Sequence, residues 1–277
     1  MLVLRLSLIA VCLLTGLQSP APALQDAAAA GLRAPFQIGE ELIYTIKWDP
    51  PWYMFFLPAM EAGEAHLHLK GETEYKNGKA LKVVLQAHSS GSLAKLAGLK
   101  IEDTYDFVVE PESYCTFASS AKIREGKRKR QIDIEYLRET RQLHFREVDE
   151  AVDPPQIKKD VIKNDIPLCV RDPFSALYFY RMAPLQLNHE QTLVIGDNDK
   201  IKEIRCRVEK QESVEVPAGK FSAWRVNTTA LMGGLFKEGG QFKIWFSADD
   251  RKIPVKFEVR VRLGRVVGKL KLRGKNS

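Results

Sequence analysis

The final strands of the chain constrain its fold more tightly than any other stretch. Between Gln241 and Lys275, Phe242, Ile244 and Phe246 alternate with Lys243 and Trp245, which puts the first three on one face of a strand. Asp249-Asp250-Arg251-Lys252 reads as a turn, and Pro254 suits only a strand start or edge. Val255, Phe257, Val259, Val261 and Leu263 then alternate with Lys256, Glu258, Arg260 and Arg262. After Gly264, Val266, Gly268, Leu270 and Leu272 alternate with Val267, Lys269, Lys271 and Arg273. Three antiparallel strands with a shared apolar face and a basic outer face are predicted.

The opposite end of the sequence resembles a secretory signal. Arg5 precedes an apolar run from Leu6 to Leu17, and Ala21-Pro22-Ala23 carries the small residues that signal peptidase accepts. The expected signal is 1–23, with the mature chain starting near Leu24 and residing in the periplasm. Cys12 is a poor lipid attachment point, because Ile9-Ala10-Val11 places a branched residue where a small one is needed and the apolar run continues past the cysteine. The apolar run is also shorter than the roughly 20 residues of a spanning helix. The formal net charge is +7. Outside the cytoplasm such an excess favours anionic lipid head groups or envelope polymers over nucleic acid as partners, unless it is simply a solvated mixed surface. Cys115, Cys169 and Cys206 allow one disulfide and one leftover thiol, with the pairing open. A chain of this length buries a full core without staples, so the disulfide is expected to be incidental to folding.

Residues 24–35 read as a flexible lead and 36–275 as a single β-rich domain. Leu42, Tyr44, Ile46 and Trp48 mark a first strand. It is followed by Asp49-Pro50-Pro51-Trp52-Tyr53-Met54-Phe55-Phe56-Leu57-Pro58-Ala59-Met60, a proline-broken loop with the densest aromatic cluster of the chain. Such a loop is either an exposed contact site or a plug folded into the end of a barrel. His66 and His68 share a strand face, a spacing that also reaches one zinc ion, although a solvated face is the default. Asn77-Gly78 signals a hairpin, and 89–99 a short helix or ordered loop across one end of the sheet. Lys122 to Arg130 is a basic hairpin tip without the aromatics that nucleic-acid stacking needs. Glu147 to Lys163 shows no period and reads as a long excursion. Asp172-Pro173 caps one short helix near 172–182, with Phe174, Leu177, Tyr178 and Arg181 along one side. Further strands are read at 194–196, 201–208, 212–216 and 221–229. The fold class is thus mainly β, an antiparallel meander forming a strongly curved or barrel-like sheet.

An ordered set of motifs now stands out. Gly39-Glu40-Glu41-Leu42 through Trp48 comes first, then Asp172-Pro173-Phe174-Ser175-Ala176-Leu177-Tyr178-Phe179-Tyr180-Arg181. Val216-Pro217-Ala218-Gly219-Lys220-Phe221 and Ile244-Trp245-Phe246-Ser247 through Val255 follow. In this order the chain resembles the bacterial exported proteins of domain-of-unknown-function family 3108 over roughly Phe36 to Leu272. The resemblance implies an envelope-associated, β-rich protein and brings no agreed activity. The chain departs from that pattern in the long aromatic loop after Trp48, where a shorter connection is implied.

No nucleophile elbow, phosphate loop, zinc-protease helix or paired cysteine motif is present, and no metal or cofactor is expected. Asp103, Asp106, Asp249 and Asp250 are the available carboxylates, but Asp249-Asp250 is more simply a turn former and Asp172 a cap. The expectation is a non-enzymatic protein that binds a lipid or other amphiphile in an apolar concavity. Trp48, Trp52, Tyr53, Phe55 and Phe56 would then make ligand or membrane contact, and Arg260, Arg262, Lys269 and Lys271 would meet anionic head groups. The alternative is an envelope structural or interaction module using loop 48–60 against another protein. A binder needs an unfilled apolar cavity, whereas a scaffold has a solid core and an exposed apolar patch.

Overall fold

The computed structural model describes residues 34–98, 100–229, 241–261 and 264–273. The expected signal, most of the lead, and Arg262 of the proposed head-group set lie outside the described residues. The meander of alternating segments forms one antiparallel sheet of fourteen strands. These are β1 (Glu41–Asp49), β2 (Met60–Tyr75), β3 (Gly78–Ser89), β4 (Glu102–Val109), β5 (Thr116–Glu125), β6 (Arg128–Leu137), β7 (Gln142–Asp149), β8 (Gln156–Lys163), β9 (Glu190–Asp197), β10 (Lys200–Val216), β11 (Gly219–Thr229), β12 (Gln241–Ser247), β13 (Pro254–Arg260) and β14 (Arg265–Arg273). Two helices, α1 (Gly91–Ala97) and α2 (Pro173–Met182), interrupt them.

Strands β1 to β8 form one meander and β9 to β14 another, and the pairing of β1 with β14 welds the two together. The right-handed twist of each strand, sharpened by bulges in β1, β2 and β10, curls this long sheet. Its edge strands β8 and β9 are not paired with each other, so the curl stays open. The seam between them is spanned by side chains: Lys159 and Lys163 reach Asp199 at 2.8 and 3.1 Å. Residues 166–171 also cross it, with Arg171 bridging in parallel to Ile195 on β9.

The inner face holds the core, and α2 lies within it. Asp172 accepts from the backbone amides of Phe174 and Ser175, which fixes the start of the helix as the sequence implied. Tyr178, Phe179, Tyr180 and Arg181 are all buried. Tyr180 packs on Phe246 of β12, Phe174 on Phe107 of β4, and Tyr178 against Phe36 from the chain's entry segment. The chain's own helix and Phe36 thus occupy inner-face space where the sequence reading expected an apolar concavity.

Three readings need correction. Residues 156–163 are not part of an excursion. They form edge strand β8, which lacks alternation because nearly all of its residues are solvent-exposed. The segments 201–208 and 212–216 are one strand, β10, kinked by a bulge between Val208 and Lys210. The second hairpin turns at Lys76-Asn77, where both residues have positive φ, one residue earlier than Asn77-Gly78. On the outer face of β12–β14, Lys256 lies 2.6 Å from Glu258 and 4.2 Å over the ring of Trp245, whose indole donates to Glu212. Cys115 and Cys169 form the disulfide, and Cys206 is a buried free thiol pushed up to about 12 by desolvation.

Candidate functional site

The antiparallel register sends the connections at 50–59, 90–101, 126–127, 150–155, 198–199 and 261–264 to one end of the curled sheet, termed here the upper end. The connection between β1 and β2 is the aromatic loop. Its prolines prevent strand continuation, and it folds instead into two consecutive tight turns: Met54 N–H donates to Pro51, and Leu57 N–H to Met54. A three-residue period results. Pro51, Met54 and Leu57 turn partly inward, while Trp52 (87% exposed), Tyr53 (51%), Phe55 (87%) and Phe56 (69%) face solvent. The rings pair edge to face, Trp52 with Tyr53 at 5.9 Å and Phe55 with Phe56 at 6.0 Å. The loop is an exposed tip and not a plug.

Its base is clamped by the neighbouring strand connection. Gly264 has φ +87, and a Cβ there would lie 2.1 Å from the Asp49 carbonyl, so only glycine lets the two connections approach. Arg265 then ion-pairs with Asp49. From Pro50 to Met60 the chain carries no charged side chain.

The expected contact residues separate into three groups. Trp52, Tyr53, Phe55 and Phe56 are brought together at the tip. Trp48 is half-buried within β1, paired with Met60 and Val266, and belongs to the wall. Of the basic set, Arg260 is exposed at the upper end of β13, whereas Lys269 pairs with Thr45 in mid-wall and Lys271, lower still, is tied to Glu64 at 2.5 Å. The three described members do not form one head-group cluster, because successive outward positions on β14 descend away from the tip. Also exposed at the upper end is Leu96, 74% exposed on α1, next in the chain to exposed Lys95. Leu96 lies within the 89–99 run read as a short helix or ordered loop, and nothing in the sequence placed it at the same end of the sheet as the aromatic loop.

Among the described residues, no three His, Cys, Asp or Glu side chains are grouped to hold a metal ion. His66 lies 3.6 Å from the carboxylates of Glu41 and Glu64 on the outer wall. A polar hollow of about 340 Å³ lies over Trp245, and a hollow of about 430 Å³ with a mixed lining that includes Ile166, Pro167, Val194 and Ile201 sits at the seam.

The most buried charges lie inside. Arg181, with no solvent exposure, donates to both oxygens of Glu40 at 2.5 and 2.9 Å and to the Arg251 carbonyl at 2.9 Å. Its guanidinium stacks 4.7 Å from the Phe36 ring. Nearby, burial drives the Tyr178 hydroxyl well above its usual range. Lys252 donates to the Ala183 carbonyl, and Tyr44 to the Pro254 carbonyl. Glu40, Arg181 and the turn 249–254 thus converge from three distant segments.

The family model described as "Protein of unknown function (DUF3108)" matches residues 43–271. The chain belongs to the DUF3108 family. A search of curated proteins finds no match. Among solved structures, the chain is similar to a β-barrel-like protein of the DUF1849 domain from Brucella abortus, at 12% identity and a TM-score of 0.52, covering 85% of this chain and 96% of that one. That likeness establishes the curled-sheet fold. A protein with a YmcC-like fold from Bacteroides fragilis matches at 12% identity and a TM-score of 0.34, covering 87% of this chain and 98% of that one. In this DUF3108 chain, the motifs that carry the resemblance build the helix-filled interior: Glu40 and Arg181 pair, Asp172 caps, and Ala218 N–H holds the β10–β11 turn to Leu270.

Proposed function

We propose that this DUF3108 protein is a non-enzymatic module of the bacterial envelope that docks reversibly on a lipid surface through its aromatic tip. The observation that carries the reading is the solvent exposure of Trp52, Tyr53, Phe55 and Phe56 on one ordered, uncharged loop. The filled interior argues for contact at the surface over enclosure of a ligand. Water contact with four large aromatic groups is costly, and transferring them to an apolar phase is worth on the order of 6–12 kcal/mol before ordering costs. The ring pairing and the clamp at Gly264 lower that ordering cost by fixing the loop beforehand. Tryptophan and tyrosine also suit the boundary between head groups and acyl chains. Export is supported by the signal-like N-terminus and by a disulfide, which persists in oxidising compartments. Flotation of the mature protein with vesicles tests the reading. Wild type is expected to float, and Trp52→Ser/Phe55→Ser to remain in the soluble fraction. Floating of the double variant would refute the reading, and a wild type that stays soluble would turn attention to a protein partner for the same tip.

A further inference from the structure

We infer that α1 is a second footing of the docking surface, so that the molecule stands upper end down on an anionic lipid leaflet, with the tip inserted and α1 lying among the head groups. The inference rests on the reading of the tip given above. Helix α1 joins β3 to β4 at the same end as the tip, against the strand that leaves it. Gly91 has φ +80, a Cβ there would lie 2.7 Å from the Glu61 side chain, and Ser90 N–H donates to the Ala62 carbonyl at 3.1 Å. The inward side of α1 is held by buried Ala94, which leaves Leu96 directed away from the sheet, 74% exposed.

Cations are spread along the same end of the sheet, two of them near Leu96 in the chain and one on the far side of the tip. Lys95 is exposed on the last turn of α1, Lys100 follows on the connection to β4, and Arg260 is exposed at the end of β13. Glu102, at the start of β4, sits 3.9 Å from Lys100, a loose contact between two well-exposed groups. An uncharged aromatic loop at the same end as an exposed leucine and several exposed cations matches a leaflet in which acyl chains lie beneath anionic phosphates. Lys269 and Lys271, further down the wall, are out of reach of such a surface when the tip is inserted. This replaces the mid-wall lysines of the sequence reading as the head-group contacts.

The test is flotation with vesicles of phosphatidylcholine alone and of equal parts phosphatidylcholine and phosphatidylglycerol. Wild type is expected to prefer the anionic vesicles. Leu96→Ser, at a position exposed enough to leave folding intact, should lower partitioning roughly tenfold, the effect of withdrawing one leucine from an apolar phase. Lys95→Gln/Arg260→Gln should remove most of the preference for anionic vesicles, and Lys269→Gln should change nothing. The inference is overturned, and the proposed function kept, if Leu96→Ser and Lys95→Gln/Arg260→Gln partition like wild type while Trp52→Ser/Phe55→Ser does not bind. Equal binding of wild type to both vesicles overturns it as well. If wild type floats with neither vesicle, the proposed function falls with it.

Discussion

Replacing Glu40 with glutamine removes one charge from a pair that water does not reach. Arg181 is fully buried and Glu40 is 2% exposed, so neither charge can recover hydration in the folded state. The carboxylate accepts two hydrogen bonds from the guanidinium, and the other polar contact of Arg181 is the neutral Arg251 carbonyl. Leaving one member of such a pair uncompensated costs about 3–5 kcal/mol. For a domain of this size each kcal/mol lowers the midpoint by roughly 2–4 °C, which places the variant about 6–20 °C below wild type. Replacing both partners together, as Glu40→Leu/Arg181→Met, should be milder than Glu40→Gln alone, because no orphan charge remains. Urea unfolding followed by circular dichroism measures all three proteins. A Glu40→Gln variant within about 1 kcal/mol of wild type would refute the argument that the pair is a dry, mutually dependent unit.

Three further outcomes follow from the structure. Trp52→Ser/Phe55→Ser should retain wild-type stability to within about 0.5 kcal/mol, since both side chains are exposed; a loss of several kcal/mol in urea unfolding would revive the plug reading. Asp199 is held below its ordinary 3.8 first by the hydrogen bond from Lys159 and then by that from Lys163. Its contribution is therefore full above the unfolded-state value and is lost as pH falls through the lower folded value, so the melting-temperature gap between wild type and Asp199→Asn should close in acid. Removing the disulfide as Cys115→Ser/Cys169→Ser frees a 54-residue separation and should cost about 4 kcal/mol in urea unfolding without abolishing the fold.

The sheet was legible because most strands bury one face and solvate the other, and Val255 to Val259 shows that alternation plainly. The cap at Asp172 and Pro173 was legible for the same local reason. The burial of α2 was not, because a helix enclosed on several sides has no single apolar stripe, and its charged Arg181 finds a partner 141 residues away. Strand β8 was hidden by its solvent-exposed residues. The aromatic loop was visible as composition, but its direction depended on the turn at Trp52–Met54 and on Gly264, contacts that only the fold brings to it. Leu96 reaches the upper end through topology alone, whereas Arg260 was named from the alternation of β13 and topology only separates it from Lys269 and Lys271.

Insertion of the tip is measured most directly by tryptophan quenching with lipids brominated along their acyl chains. Trp52 is highly exposed in buffer, whereas Trp245 is buried and Trp48 and Trp224 are half-buried in the sheet. The expected result is quenching and a blue shift on adding anionic vesicles, both lost in Trp52→Phe, which keeps an aromatic group at the tip. Emission from wild type that is unchanged by brominated vesicles, or quenching that persists in Trp52→Phe, would contradict docking through this loop.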